Sequence, residues 1–108
     1  MTMIAPSRIR ALSRRIAEEF RPERIILFGS YASGRAREDS VVDLLVVMPF
    51  EGKGARKAAE ILNRVEPDFP VDVIVRSPRQ MRERLASADF FLREVVKKGR
   101  VLYEAAHP

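Results

Sequence analysis

The sequence of 108 residues contains no cysteine and a single histidine, His107. The lack of cysteine excludes disulfides, thiolate metal sites and cysteine nucleophiles, and it is typical of a cytoplasmic protein. Because the histidine lies next to the C-terminus, where chains commonly fray, a histidine-based triad and a zinc site are not expected. Any catalytic chemistry must therefore come from other side chains.

Long apolar runs are also missing. The longest stretches lie around residues 44–48 and 71–75, far short of the roughly 20 residues that a transmembrane helix needs. No membrane association is therefore expected, and the first ten residues lack the apolar region of a signal peptide. We expect a single cytoplasmic domain over residues 1–108, long enough for one modest core and too short for two.

The basic residues are mostly arginine, and they give a net charge of +5. A positive surface attracts phosphates, nucleic acid or an acidic partner. The same surface would also suit a thermophile-like protein, because Asn63 and Gln80 are the only amide side chains and thermolabile residues are scarce in such proteins. No aromatic residues are interleaved with the basic ones to stack on bases, so the charge alone gives nucleic-acid binding little support.

Apolar spacing and capping residues predict the order helix, strand, short element, strand, helix, strand, helices. The first helix is expected over residues 7–20, with Ser7 as its N-cap. Ser77 and Gln80 predict a capping box at the start of the last helical region, which is interrupted near Ser87. Gly99 suits a helix C-terminus. Strands are expected at 24–28, 41–48 and 71–75, with a helical stripe from 55 to 65 and an edge strand at 101–103.

This order predicts an α/β fold, a small mixed β-sheet flanked by helices. Residues 49–70 are long enough to cross over between two neighbouring strands. Phe90 and Phe91, together with Val95, are interpreted as core residues, although an exposed part of them could serve a partner.

Two acids interrupt the apolar strands, Asp43 and Asp72. An ionised carboxylate in an apolar interior costs several kcal/mol unless it is paired, hydrogen-bonded or bound to a cation. Each acid could instead sit at a strand end, exposed or paired with an arginine. Two such acids in one small sheet nevertheless favour a site that requires them.

A Gly-Ser pair, Gly29 and Ser30, follows the first predicted strand. A strand that ends in this way and leads into a helical turn presents free backbone N–H groups and a hydroxyl, which suit phosphate oxygens. Glycine also lets a ligand approach the backbone closely. Alone, such a pair commonly marks an ordinary turn.

The stretch from Phe28 to Met48, FGSYASGRAREDSVVDLLVVM, resembles the signature of the minimal nucleotidyltransferases, which belong to the polymerase-beta-like superfamily. That signature is a Gly-Ser pair, a Gly-Arg or similar turn, and Ser-Asp-x-Asp before an apolar strand, with a third carboxylate on a later strand. The positions of this chain that fall on it are Gly29, Ser30, Gly34, Ser40, Asp43 and, as the third carboxylate, Asp72.

The resemblance implies an activity and a site. Asp43 and Asp72 would be the catalytic carboxylates and would hold Mg²⁺ or Mn²⁺, while Gly29, Ser30, Gly34 and Ser40 would bind the nucleotide phosphates. The reaction would transfer a nucleoside monophosphate, commonly AMP from ATP, to an acceptor hydroxyl. Metal ions suit this chemistry because they clamp the attacking and leaving oxygens, and magnesium prefers hard oxygen ligands.

The chain departs from the signature at Val41, which replaces the first acid of Asp-x-Asp. Residues 41 and 43 of a strand point to the same face, so an apolar side chain stands where a metal ligand is expected. Asp39 would lie about 13 Å from Asp43 along an extended strand, too far to substitute unless the backbone folds back at Ser40. The chain either works slowly with Asp43 and Asp72 alone or is catalytically impaired.

The resemblance therefore implies two functions. The first is a metal-dependent nucleotidyltransferase. The second is an impaired module that still binds a nucleotide and a partner, since small members of the family pair with helical HEPN-type proteins as antitoxins of toxin–antitoxin systems. A basic nucleic-acid-binding domain is a third interpretation, supported only by the net charge.

Overall fold

A computed structural model describes residues 3–106 of the chain. His107 lies outside the described residues. The helices are α1 Pro6–Phe20, α2 Ser30–Ser33, α3 Gly54–Val65, α4 Pro78–Ala86 and α5 Phe90–Lys98, and the strands are β1 Arg24–Phe28, β2 Val42–Val47, β3 Val71–Arg76 and β4 Arg100–Glu104. The predicted element order is confirmed, and each boundary with a predicted residue number lies within about two residues of its expected place.

The four strands form one mixed sheet in the order β3-β2-β1-β4. β1 pairs antiparallel with both β2 and β4, and β2 pairs in parallel with β3. The parallel pair requires a crossover, and α3 supplies it within the segment that the sequence predicted. The expected α/β fold, a small mixed sheet flanked by helices, is confirmed.

Helices cover both faces of the sheet. One face packs against α1 and α3 through a larger apolar cluster that includes Ile16, Leu44 and Ile61. The other face packs against α4 and α5 through a smaller cluster that includes Leu45, Met81 and Leu92. Alternate residues of β2 supply the two clusters, as the period of two in a strand requires. Among residues 3–106, no helix combines the length and apolar character needed to span a bilayer.

The predicted cap of α1 is wrong. The helix begins at Pro6, and its N-cap is Ala5, which makes no side-chain capping bond. Proline already has the φ of a helix and is favoured at the first helical position, so Ser7 lies inside the first turn.

The predicted capping box of α4 is confirmed. The Ser77 side chain accepts from Gln80 N at 3.1 Å, and the Gln80 side chain accepts from Ser77 N at 2.9 Å. The break near Ser87 is also confirmed, because Ala88 has a positive φ of 63° and Asp89 caps α5.

Gly99 follows α5 as its C-cap, but its backbone is extended and not left-handed. The reason for glycine here is a close approach. A Cβ at this position would lie 2.6 Å from Ile26 Cγ2 and 2.9 Å from the Leu27 carbonyl oxygen. Glycine therefore lets the turn from α5 into β4 lie directly on β1.

Candidate functional site

The two acids of the sheet lie side by side. Asp43 and Asp72 are each the second residue of their strand, and they are direct partners in the parallel register of β2 and β3. Neighbouring strands lie about 4.8 Å apart, so the two carboxylates project from adjacent points on one face. The register thus brings together two residues that are far apart in the sequence.

A row of three residues crosses this face, because Phe28 of β1 lies opposite Asp43. The next row inward consists of Ile26, Leu45 and Ile74, which belong to the cluster beneath α4 and α5. The acids therefore lie where that apolar cluster ends, at the side of the sheet where β1 leads into α2. Asp43 is half-buried and Asp72 is exposed.

Burial is the main reason that the pKa of Asp43 lies above its ordinary value, and the neighbouring charge of Asp72 raises it further. No ion pair within residues 3–106 includes either acid. Pairing with arginine, the structural alternative drawn from the sequence, is therefore wrong for this part of the chain. The other structural explanation, an exposed acid at a strand end, does hold for Asp72. A cation between the two carboxylates would offset both the cost of burying the charge of Asp43 and the repulsion between the two acids.

Gly29 connects the acid pair to the turn after β1. Its φ of 75° and ψ of −153° lie in a region that essentially only glycine adopts. A Cβ on Gly29 would lie 3.2 Å from the carboxyl carbon of Asp43 and would overlap its Oδ2. The backbone conformation thus requires glycine here, and any side chain at this position would also displace the Asp43 carboxylate.

Ser30 begins α2, a helix of four residues. The first carbonyl bonds of this helix run from Ala32 N and Ser33 N to Gly29 O. Within residues 3–106, the N–H groups of Ser30 and Tyr31 have no acceptor. These two amides and the Ser30 hydroxyl belong to the turn that follows Gly29, the residue next to Asp43. Phosphate binding by Gly29 and Ser30 remains a prediction.

Gly34 and Ser40 have local structural roles. Gly34 is the left-handed C-cap of α2, with a φ of 77°, at the opposite end of that helix from Gly29. Ser40 closes a turn, since its Oγ accepts from Arg37 N at 2.8 Å, and it lines a separate cleft with Tyr31 and Phe69. Phosphate binding by these two residues remains a prediction.

The sequence profile of the nucleotidyltransferase domain matches residues 9–103, which is most of the chain. The chain belongs to the nucleotidyltransferase domain family. Its Gly-Ser turn and the Asp43–Asp72 pair both lie inside the matched region.

Solved structures share the fold of this nucleotidyltransferase domain. A candidate nucleotidyltransferase from Sulfolobus solfataricus has 17% identity and a TM-score of 0.62, covering 91% of this chain and 78% of that chain. A toxin–antitoxin structure with AMP-PNP has 22% identity and a TM-score of 0.56, covering 89% and 73%. A mutant of the toxin–antitoxin MntA-HpeT has 23% identity and a TM-score of 0.56, covering 95% and 75%. No curated protein sequence gives a significant match.

Val41 lies just before β2, and 39% of it is exposed. Asp39 lies in the turn closed by Ser40. Within residues 3–106, no group of three or more acids or histidines is placed to hold a metal ion. Asp39 therefore does not form such a group with Asp43 and Asp72.

One part of the site was missed by sequence reasoning. A cleft of about 260 Å³ lies between α2 and α5 at the end of β1, and it is lined largely by apolar groups of Phe28, Ala32, Phe91 and Val95. Gly29 also lines it. Phe90 and Phe91 were predicted to be core residues, but they are 79% and 48% exposed, because α5 begins at Phe90 and turns Leu92 and Val95 inward. Val95 is in the core as predicted.

Proposed function

We propose that this chain is a nucleotidyltransferase that binds a nucleoside triphosphate, ATP by the family resemblance, and transfers its nucleoside monophosphate to an acceptor hydroxyl. The observation that carries the proposal is the pairing of Asp43 with Asp72 beside Gly29. Asp43 costs stability because it is half-buried at the end of an apolar cluster and lies next to a second acid. A ligand bound at the adjacent Gly-Ser turn would explain why the chain keeps it.

Both acids suit a bound divalent cation. Mg²⁺ prefers oxygen ligands and is commonly held by one or two carboxylates together with substrate phosphates. Asp43 and Asp72 would be those ligands, and Mn²⁺ has similar preferences. When bound, the ion would supply charge stabilisation for the phosphoryl oxygens. The raised pKa of Asp43 supports this role, since an acid destabilised by burial and a neighbouring acid gains most from a cation.

The residues of the chain would orient the triphosphate. The free amides of Ser30 and Tyr31 would bind phosphate oxygens, and the missing side chain of Gly29 lets the ligand approach Asp43. In the transfer, the acceptor oxygen bonds to the α-phosphorus while the bond from that phosphorus to the bridging oxygen breaks. Pyrophosphate leaves with the electron pair of the broken bond, and the hydroxyl proton goes to solvent.

A second function is favoured by Val41. An exposed valine stands where the family signature has its first acid, and two carboxylates hold metal less firmly than three. The chain would then bind a nucleotide and a partner with little or no transfer. The fold shared with two toxin–antitoxin structures, one with AMP-PNP, supports an antitoxin role for this chain and a toxin as its partner. The family resemblance, and not these structures, makes a helical HEPN-type protein the expected toxin.

Calorimetric titration of ATP with and without Mg²⁺ tests the site. We expect Mg²⁺ to strengthen binding to the wild-type chain and to have no such effect on the Asp43→Asn and Asp72→Asn variants. The matched control is Asp39→Asn, an exposed acid outside the pair, which should behave as the wild type. Equal enhancement by Mg²⁺ in all four proteins would refute the proposed metal site.

Transfer itself is tested with ATP labelled at the α-phosphate and a co-expressed helical partner as acceptor. Label on the partner with wild-type chain supports the enzyme. Label only after Val41→Asp supports the impaired binding module. If the partner co-purifies and neither the wild-type chain nor Val41→Asp labels it, the second function alone is favoured. Failure to bind ATP would refute both functions.

A further inference from the structure

The apolar cleft between α2 and α5 adjoins the acid pair through shared residues. Gly29 lines the cleft and also contacts Asp43. Phe28 lines the cleft and lies opposite Asp43 in the register of β1 and β2, a pairing that puts the two α-carbons about 5 Å apart. A ligand whose phosphates lie beside Asp43 could therefore reach the cleft within the length of one nucleotide.

The cleft presents two aromatic rings. The centroids of Phe28 and Phe91 lie 5.6 Å apart with the rings at 86°, so the edge of one ring meets the face of the other. Their contact leaves part of each ring uncovered, because Phe28 is half-buried and Phe91 is 48% exposed. An exposed apolar cleft of this kind commonly marks a ligand site.

The rim of the cleft is polar. Lys98 Nζ and Glu94 Oε2 form an ion pair at 2.9 Å, and both residues line the cleft. A site with apolar walls and a few polar groups at its edge suits a flat heteroaromatic ring better than a phosphate. The ammonium and the carboxylate supply one donor and one acceptor for the polar edge of such a ring.

We propose that this cleft binds the nucleobase of the nucleoside triphosphate, with Phe91 contacting the base face. The inference rests on the proposed function, since it assumes that the phosphates of the same ligand lie at the Gly29–Ser30 turn. The Gly29–Ser30 turn and the acid pair would then bind the charged phosphates and their metal ion, while α5 would contact the base.

The test compares ATP with inorganic tripolyphosphate, which keeps the phosphates and lacks the base, by calorimetry in Mg²⁺. The wild-type chain should bind ATP more tightly than tripolyphosphate. Phe91→Ala should weaken ATP binding about tenfold, the typical effect of losing one base–aromatic contact, and should leave tripolyphosphate binding unchanged. Phe91→Tyr should restore ATP affinity.

Phe90→Ala is the matched control, because Phe90 is the adjacent aromatic residue, is 79% exposed and does not line the cleft. It should change neither affinity. Equal binding of ATP and tripolyphosphate by the wild type would overturn the base site and leave the phosphate site standing. Equal weakening of both ligands by Phe91→Ala would also overturn it. If the wild type bound neither ligand, the proposed function and the base site would both fall.

Discussion

The contact between Gly29 and Asp43 gives a quantitative prediction for Gly29→Ala. The backbone of Gly29 lies in a region that costs other residues about 1–3 kcal/mol. The new Cβ would also overlap the Asp43 carboxylate, so that side chain would have to leave its rotamer or the backbone would have to shift, at a cost of about 1 kcal/mol more. We therefore expect Gly29→Ala to destabilise the fold by more than the backbone strain alone.

Gly34→Ala is the matched control. Gly34 also has a positive φ, 77°, but a Cβ there would meet nothing within 4 Å. Only the left-handed conformation then opposes alanine, at a cost of about 1–2 kcal/mol. Urea unfolding should show Gly29→Ala to be the less stable variant by at least about 1 kcal/mol, which corresponds to a melting temperature about 4 °C lower for a domain of this size.

A double-mutant cycle isolates the contact. In the Asp43→Ala background the overlapping carboxylate is gone, so Gly29→Ala should cost only the backbone strain. The coupling between the two positions should be about 1 kcal/mol, as expected for residues in direct contact. Equal costs for Gly29→Ala and Gly34→Ala, or no coupling to Asp43, would show that the Gly-Ser turn does not lie against the acid.

Three further predictions concern the stability of the fold. The pKa of Asp43 is raised in the folded state, so the free energy of unfolding falls as the pH rises from the ordinary pKa of 3.8 through the pKa of the folded protein. Asp43→Asn should therefore be more stable than the wild type in urea at neutral pH, and the difference should shrink on acidification. Ile61 is fully buried between α3 and the sheet, so Ile61→Ala should lower the unfolding free energy by about 2–5 kcal/mol. Asn63 is exposed, and Asn63→Ala should change the unfolding free energy by under about 0.5 kcal/mol. Ser77→Ala should cost about 1 kcal/mol through the lost cap of α4, whereas Ser7→Ala should be nearly neutral in the same urea assay because Ser7 is not a cap.

Much of this arrangement could be predicted from the sequence. The apolar runs around Asp43 and Asp72, separated by one helix-length crossover, predict neighbouring strands. They do not fix the register, although a shift of one residue would move an acid to the opposite face of the sheet. The direct pairing of the two acids therefore required the structure, and so did the contact of Asp43 with Gly29, which joins separate elements.

The errors have local causes. Ser7 was a reasonable cap by residue type, but Pro6 takes the first helical position, so α1 starts closer to the N-terminus than predicted. Phe90 and Phe91 have the composition of core residues. Leu92 and Val95 form the inward face of α5. Successive residues of a helix are about 100° apart, so Phe90 lies opposite that face and Phe91 at its edge. Hydrophobicity alone did not show which of these apolar residues would face the sheet.

Neither Val41 nor Asp43 is explained by the packing of the fold alone. Val41 lies outside the strand and is partly exposed, so its apolar side chain contributes little to the core, and Val41→Asp should lose little packing energy. Asp43 is half-buried beside another acid and lacks a cationic partner within residues 3–106, so packing gains nothing from its charge. A sheet selected for stability alone would favour an uncharged residue at 43. The acid is best explained by a ligand that brings positive charge to it, which is why cation binding is the decisive measurement for this chain.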